Sequence, residues 1–211
     1  MLSGWREVDG QEVERRFVVP FLPFNSAHLL DLFELQEKMD VTSLLSATLS
    51  PTQQEREQAT LSLTQFLSSN PRQYLTSLSS ALAAPATPSH IRNAAGLAIK
   101  NALSARETPR QEEYAQRWKQ QLDQQTRDQL KQEALTTLAS EDRGARNVSG
   151  QVVAAIAAIE LPAGMWNGLI PSLLELVGRQ DNSGLRQATL QAIGFICESI
   201  VSLTLPVSPS T

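Results

Sequence analysis

The chain has 211 residues, with 41% hydrophobic but only 5% aromatic side chains, so its core must be aliphatic, and it has room for one domain or one segment of an extended array. Its formal charge is −4. Residues 1–38 hold four basic and seven acidic side chains, which leaves 39–211 close to neutral and sets aside a generic nucleic-acid binder. The single cysteine, Cys197, excludes an intrachain disulfide and fits a reducing compartment; its apolar surroundings predict a buried, inert thiol.

The chain does not open like a signal peptide, because charges interrupt MLSGWREVDGQEVERR and prolines break FVVPFLPF. No run approaches the ~18 apolar residues of a membrane span. Residues 1–38 are aromatic-rich and lack a long helical period. They read as an atypical extension, either a disordered or loosely docked tail or a mis-assigned start, with the functional protein beginning at Met39.

From Met39 onward the text alternates helix and punctuation. VTSLLSATL, led by Asp40 near its cap, stops at Ser50-Pro51. TQQEREQATLSLTQFLSS pairs Thr52 with Glu55 three residues on, a capping-box spacing, and Asn70-Pro71 breaks it. RQYLTSLSSALA ends at APATP, and SHIRNAAGLAIKNALSA follows Pro88 with Ser89 as its cap. A shorter polar helix comes next, RETPRQEEYAQRWKQQ. TRDQLKQEALTTLA is then broken by EDRG before ARNVSGQVVAAIAAIE, which runs to Leu161-Pro162. MWNGLIPSLLELVG and NSGLRQATLQAIGFICESI close the series near Ile200. No segment has the alternation of a strand. The ending VSLTLPVSPST abandons the pattern, so residues 201–211 read as a Ser/Pro/Thr tail or a truncation that leaves an apolar face without a neighbour.

The helices repeat. Arg92, Ala94 and the pair Ala98-Ile99 share their spacing with Arg146, Val148 and Val152-Val153, and with Arg186, Ala188 and Ala192-Ile193. Less well aligned, Ala59 matches Ala95. The steps from 92 to 146 and from 146 to 186 are 54 and 40 residues, and the longer one contains the helix around Tyr114 to Trp118. A period of ~40 residues with two helices per unit marks a solenoid of HEAT or armadillo type. The small residues of RNAAGLAIKNAL allow close approach of neighbouring helices, and Lys100 falls on a different face.

Several of these stretches resemble a known family. AGLAIKN (95–101), YAQRW (114–118), IELPAGMW (159–166) and ATLQAIGFICE (188–198) are similar, in order and spacing, to the N-terminus of importin-β (karyopherin-β). The similarity runs from about Met39 to Ile200. It implies an all-α fold, a HEAT-repeat right-handed solenoid of about four antiparallel helix pairs. First helices would line the convex outside and second helices the concave inside. It also implies a nuclear transport receptor fragment acting in protein import, present in cytoplasm and nucleus and at the nuclear pore. Its partner would be the small GTPase Ran in its GTP form, with importin-α, cargo and FG nucleoporins as partners of the full-length family at repeats further along.

Carried over residue by residue, Lys100 matches a Ran-facing lysine and Arg106 a second basic position just past that helix. Arg92, Asn93 and Asn101 are expected on the exposed side of the same helix. Gln151 and Arg186 fall on inner helices of the next two units. Trp118 and Trp166 read as packing anchors, and Glu160 reads as a helix end rather than a general base. His28, His90 and Cys197 have no metal-ligand spacing, and no Gly-rich phosphate loop, carboxylate dyad or Ser/His/Asp grouping stands out. The expectation is therefore no enzyme, no cofactor, no nucleic acid and no membrane. Two alternatives remain open: a HEAT scaffold for other proteins, such as a phosphatase or vesicle-coat subunit, and a truncated product without an independent role.

Overall fold

The computed structural model describes residues 40–179 and 181–204; the expectations for residues 1–38 and for the tail past Thr204 lie outside them. Among the described residues all regular structure is helical. The helices are α1 (Val41–Thr48), α2 (Gln53–Ser69), α3 (Pro71–Ala83), α4 (Ser89–Leu103), α5 (Thr108–Gln121), α6 (Gln124–Thr137), α7 (Arg143–Glu160), α8 (Leu169–Gly178) and α9 (Ser183–Thr204). None is long and apolar enough to cross a membrane.

The punctuation works through caps. Asp40 accepts from Thr42 N at 3.1 Å, Asn70 from Gln73 N at 3.1 Å and Asp123 from Thr126 N at 2.7 Å. Asn182 accepts from Leu185 N at 2.8 Å. Each satisfies an otherwise orphaned amide in a first turn. Pro71 sits at the start of α3, where a missing N–H costs nothing. Four boundary expectations change. EDRG starts α7 instead of separating helices: Asp142 accepts from Gly144 N (2.8 Å) and Ala145 N (3.2 Å), so Arg143 and Gly144 form the first turn. Thr52 holds the cap position of α2 without a side-chain cap bond, and Glu55 instead takes the hydroxyl of Ser50. Pro88, not Ser89, holds the cap position of α4. Helix α9 continues past Ile200 to Thr204.

The helices form two layers. α3 packs on α6 in one, and α4, α7 and α9 stack in series in the other, with α3–α4, α6–α7 and α8–α9 as the pairs joining them. Helix α1 pairs with α2 and also reaches α3 and α4. Small residues set the spacing of the stack. A side chain at Gly96 in α4 would stand 2.6 Å from both γ-methyls of Val148 in α7, and one at Gly150 in α7 would lie 3.4 Å from Ala192 in α9. By the repeat, the equivalent position in α9 is Leu190, which is exposed, as are Ile170 and Leu174 on α8 and Cys197 on α9. The buried thiol expected of Cys197 is thus corrected: it is exposed on α9.

The inserted helix α5 is tied in by a buried polar cluster. Trp118, fully buried, donates from Nε1 to Glu160 at 2.9 Å, and Lys131 Nζ donates to the other oxygen of Glu160 at 3.1 Å. Arg127 Nε stands 3.8 Å away, while its other nitrogens donate to the carbonyls of Leu122 and Lys119 and to Gln124. After Glu160 the chain turns through Gly164, whose φ of +66° suits glycine. The turn brings the Trp166 ring to 5.4 Å from Lys131 Nζ, within cation–π reach. A carboxylate with no exposed surface is tolerated here because both of its oxygens are bonded.

Candidate partner-binding surface

The exposed surface of α4 follows from helical spacing. Asn93, Leu97, Lys100 and Asn101 fall on one side of the helix. Asn101 and Leu97 are exposed, and Asn93 and Lys100 are half-exposed. Lys100 lies in the last turn, where its charge complements the C-terminal end of the helix dipole. Arg106 is exposed in the link to α5. Neither Lys100 nor Arg106 enters an ion pair among the described residues. Both charges are therefore available without first breaking a contact.

Arg92 departs from expectation, because it is buried rather than exposed. It donates from Nε to the Leu82 carbonyl at 2.8 Å and from a terminal nitrogen to Ser140 Oγ at 3.0 Å, and it stands 3.7 Å from Asp142. It clamps the end of α3 and the link before α7 onto α4. Its counterpart Arg146 donates to the carbonyls of Ser140 (2.6 Å) and Glu141 (3.0 Å). Arg56, one repeat earlier, does the same to Ser50 and Pro51, each at 2.8 Å. In α2, α4 and α7 the arginine at this position thus fastens a link to the helix after it, whereas Arg186 in α9 makes no such bond among the described residues.

Gln151 and Arg186 are half-exposed on α7 and α9. By the repeat, Gln151 aligns with Leu97 and Gln191, so the surface of α4 continues along the stack. Sequence reasoning missed exposed Leu97, although its spacing from Asn93 and Asn101 marks it. It also missed the Glu160 cluster, for which no local signal exists. Among the described residues, no three His, Cys, Asp or Glu side chains gather as metal ligands.

Electrostatics concentrate at the caps. Hydrogen bonds from Ser43 and Thr42 hold the Asp40 carboxyl below the usual carboxylate range, and bonds from Thr126 do the same for Asp123. At Asp142 partial burial pushes upward, but bonds from Ser89, Ala145 and Gly144 and the charge of Arg92 outweigh it. Burial alone pushes the Tyr74 hydroxyl up to about 12.

Comparison with known proteins places this architecture. The family described as the importin-beta N-terminal domain matches residues 59–140. Importin subunit beta-1 of Schizosaccharomyces pombe is 41% identical over 162 residues, covering 77% of this chain and 19% of its own length. The Arabidopsis thaliana protein of the same name is 40% identical over 162 residues, 77% of this chain and 18% of its own. Among solved structures, importin beta crystallised from ammonium sulfate superposes with a TM-score of 0.73 at 44% identity, over 78% of this chain and 19% of the other. Kap95p, whose binding is described as inducing the switch loops of RanGDP to adopt the GTP-bound conformation, superposes with a TM-score of 0.74 at 32% identity, over 76% of this chain and 19% of the other. The chain spans about a fifth of the length of these relatives. Two of the stretches that carry the resemblance, YAQRW and IELPAGMW, meet in the Trp118–Glu160 bond. The chain belongs to the importin-β (karyopherin-β) family and matches its N-terminal HEAT repeats.

Proposed function

We propose that this chain is the Ran-binding end of a nuclear transport receptor of the importin-β type, acting in protein import between cytoplasm and nucleus. The observation that carries the reading is the likeness to Kap95p in its structure with RanGDP, which extends over three quarters of this chain. The contact surface runs along α4 and onto the next two stacked helices. Lys100 and Arg106 supply free positive charge, Asn93 and Asn101 flank Lys100, and Gln151 and Arg186 extend the surface. Arg92 acts beneath it by holding α4 to its neighbours. Importin-α, cargo and FG nucleoporins are partners of longer family members, and we assign only Ran to this segment. Selectivity for the GTP form arises because RanGDP must first rearrange its switch loops, which lowers its apparent affinity by the population of the competent state.

The test immobilises the full chain and compares Ran loaded with a non-hydrolysable GTP analogue against Ran loaded with GDP. The expected result is tighter binding of the GTP form, weakened about tenfold or more by Lys100→Glu through loss of complementary charge. Absence of binding to either form, from a chain with intact helical circular dichroism, overturns the proposal. Equal affinity of Lys100→Glu and parent removes Lys100 from the contact.

A further inference from the structure

Where the α4 surface continues along the stack, the N-terminal turns of α7 and α9 bound a groove of about 290 Å³. It is lined by Arg143, Gly144, Arg146 and Asn147 from α7 and by Gly184, Gln187, Ala188 and Gln191 from α9. No carboxylate lines it, and neither does a large apolar side chain. The carboxylate nearest in sequence, Asp142, is spent on the cap amides of α7 and lies 3.7 Å from Arg92.

The two arginines differ. Arg146 is held by the carbonyls of Ser140 and Glu141, and its guanidinium carbon would lie 3.1 Å from a side chain at position 184, so the two positions are closely packed. Arg143 is exposed and enters no ion pair among the described residues. The amides of Asn147, Gln187 and Gln191 likewise make no side-chain hydrogen bond among the described residues. A carboxamide offers a donor and an acceptor together, which is what the alternating N–H and C=O of an extended peptide require. A free guanidinium beside them matches a carboxylate bidentately.

We propose that the groove between α7 and α9 binds an extended acidic segment of a partner protein, its carboxylate on Arg143 and its backbone on Asn147, Gln187 and Gln191. The absence of an apolar pocket disfavours a compact small-molecule ligand, which would need buried apolar contact. The chain's net charge of −4 argues against a nucleic acid. The site adjoins the one proposed for Ran, which centres on Lys100 one repeat earlier, and differs from it in resting on Arg143 and on the groove between α7 and α9.

The test measures fluorescence anisotropy of a labelled peptide alternating glutamate with serine against the full chain, beside a peptide with glutamine for every glutamate. The expected result is binding of the glutamate peptide that falls with added salt, about tenfold weaker for Arg143→Glu and weakened also by Gln187→Ala. Hydrogen exchange of the complex should slow in the first turns of α7 and α9. Equal binding of both peptides, no effect of Arg143→Glu in a folded variant, or protection confined to α4 would each overturn the assignment. So would displacement of the peptide by RNA at lower concentration than by unlabelled peptide.

Discussion

Replacing Glu160 with alanine removes a carboxylate that joins three elements. Trp118 on α5 loses its only acceptor at 2.9 Å, and Lys131 on α6 loses its partner at 3.1 Å. Breaking a buried ion pair from one side costs about 3–5 kcal/mol. The lower end applies here because Lys131 keeps Asp128 at 2.8 Å, on the exposed side. An estimate of about 3 kcal/mol corresponds to a fall in Tm of roughly 6–12 °C for a domain of this size. Glu160→Gln keeps an acceptor for the indole but leaves the Lys131 charge poorly matched, so it should lose about half as much. The assay is thermal denaturation followed by far-UV circular dichroism, with tryptophan fluorescence as the local probe. Hydrogen exchange should show α5 loosening first, since repeat arrays open by segments. Glu113→Ala provides the control: it breaks only the exposed pair with Arg117 at 2.9 Å and should cost less than about 1 kcal/mol. A Glu160→Ala protein as stable as this control would refute the claim that the cluster holds the insertion in place.

Gly96→Ala should destabilise by about 1–2 kcal/mol, because overpacking against the stiff Val148 methyls outweighs the roughly 1 kcal/mol gained in helix propensity; combining it with Val148→Ala should give a cost smaller than the sum, and strict additivity would contradict the close contact. On α4, Arg92→Ala should cost about 3 kcal/mol in urea unfolding, since buried carbonyl and hydroxyl partners lose their donor; Lys100→Glu should stay within about 0.5 kcal/mol of parent. The reverse order would exchange the structural and surface roles. Tyr74 is neutral in the fold up to about 12, whereas the unfolded chain ionises its tyrosines near ~10. Stability should therefore be complete below about pH 10 and decline between there and pH 12; tyrosinate absorbance that completes for both tyrosines near pH 10 in the folded chain would contradict this. For Asp40, Asp123 and Asp142, lowered in the fold, the stability is present above the ordinary carboxylate range and is lost as pH falls below about 4. Asn in place of Asp142 should flatten that part of the acid limb.

Caps and spacing were legible because they are local. Asp40, Asn70-Pro71 and the small residues of α4 announce themselves within a turn of the chain. The same locality misled at EDRG: a glycine reads as a break, whereas Asp142 caps it from outside and makes it the first turn of α7. Arg92 was misplaced for a different reason. A long cationic side chain on a helix reads as solvated, and only the approach of the Leu82 carbonyl and Ser140 provides the partners that make its burial tolerable. Exposed Cys197 is the converse case, since its apolar sequence surroundings do not reveal on which side of the stack it lies.

By itself the sequence determined the all-helical class, the repeat, the inserted helix and the family, because each depends on periods and motifs written within a few tens of residues. It also singled out Lys100 as a charge set apart from the packed face. The tertiary structure alone decided which arginines are clamps and which are free. It joined Trp118 to a glutamate 42 residues away. It also opened the groove between α7 and α9, whose walls come from separate repeats. The physical reason is that hydrogen bonding and burial depend on neighbours in space. A period along the chain states which face a residue occupies, but not what that face meets.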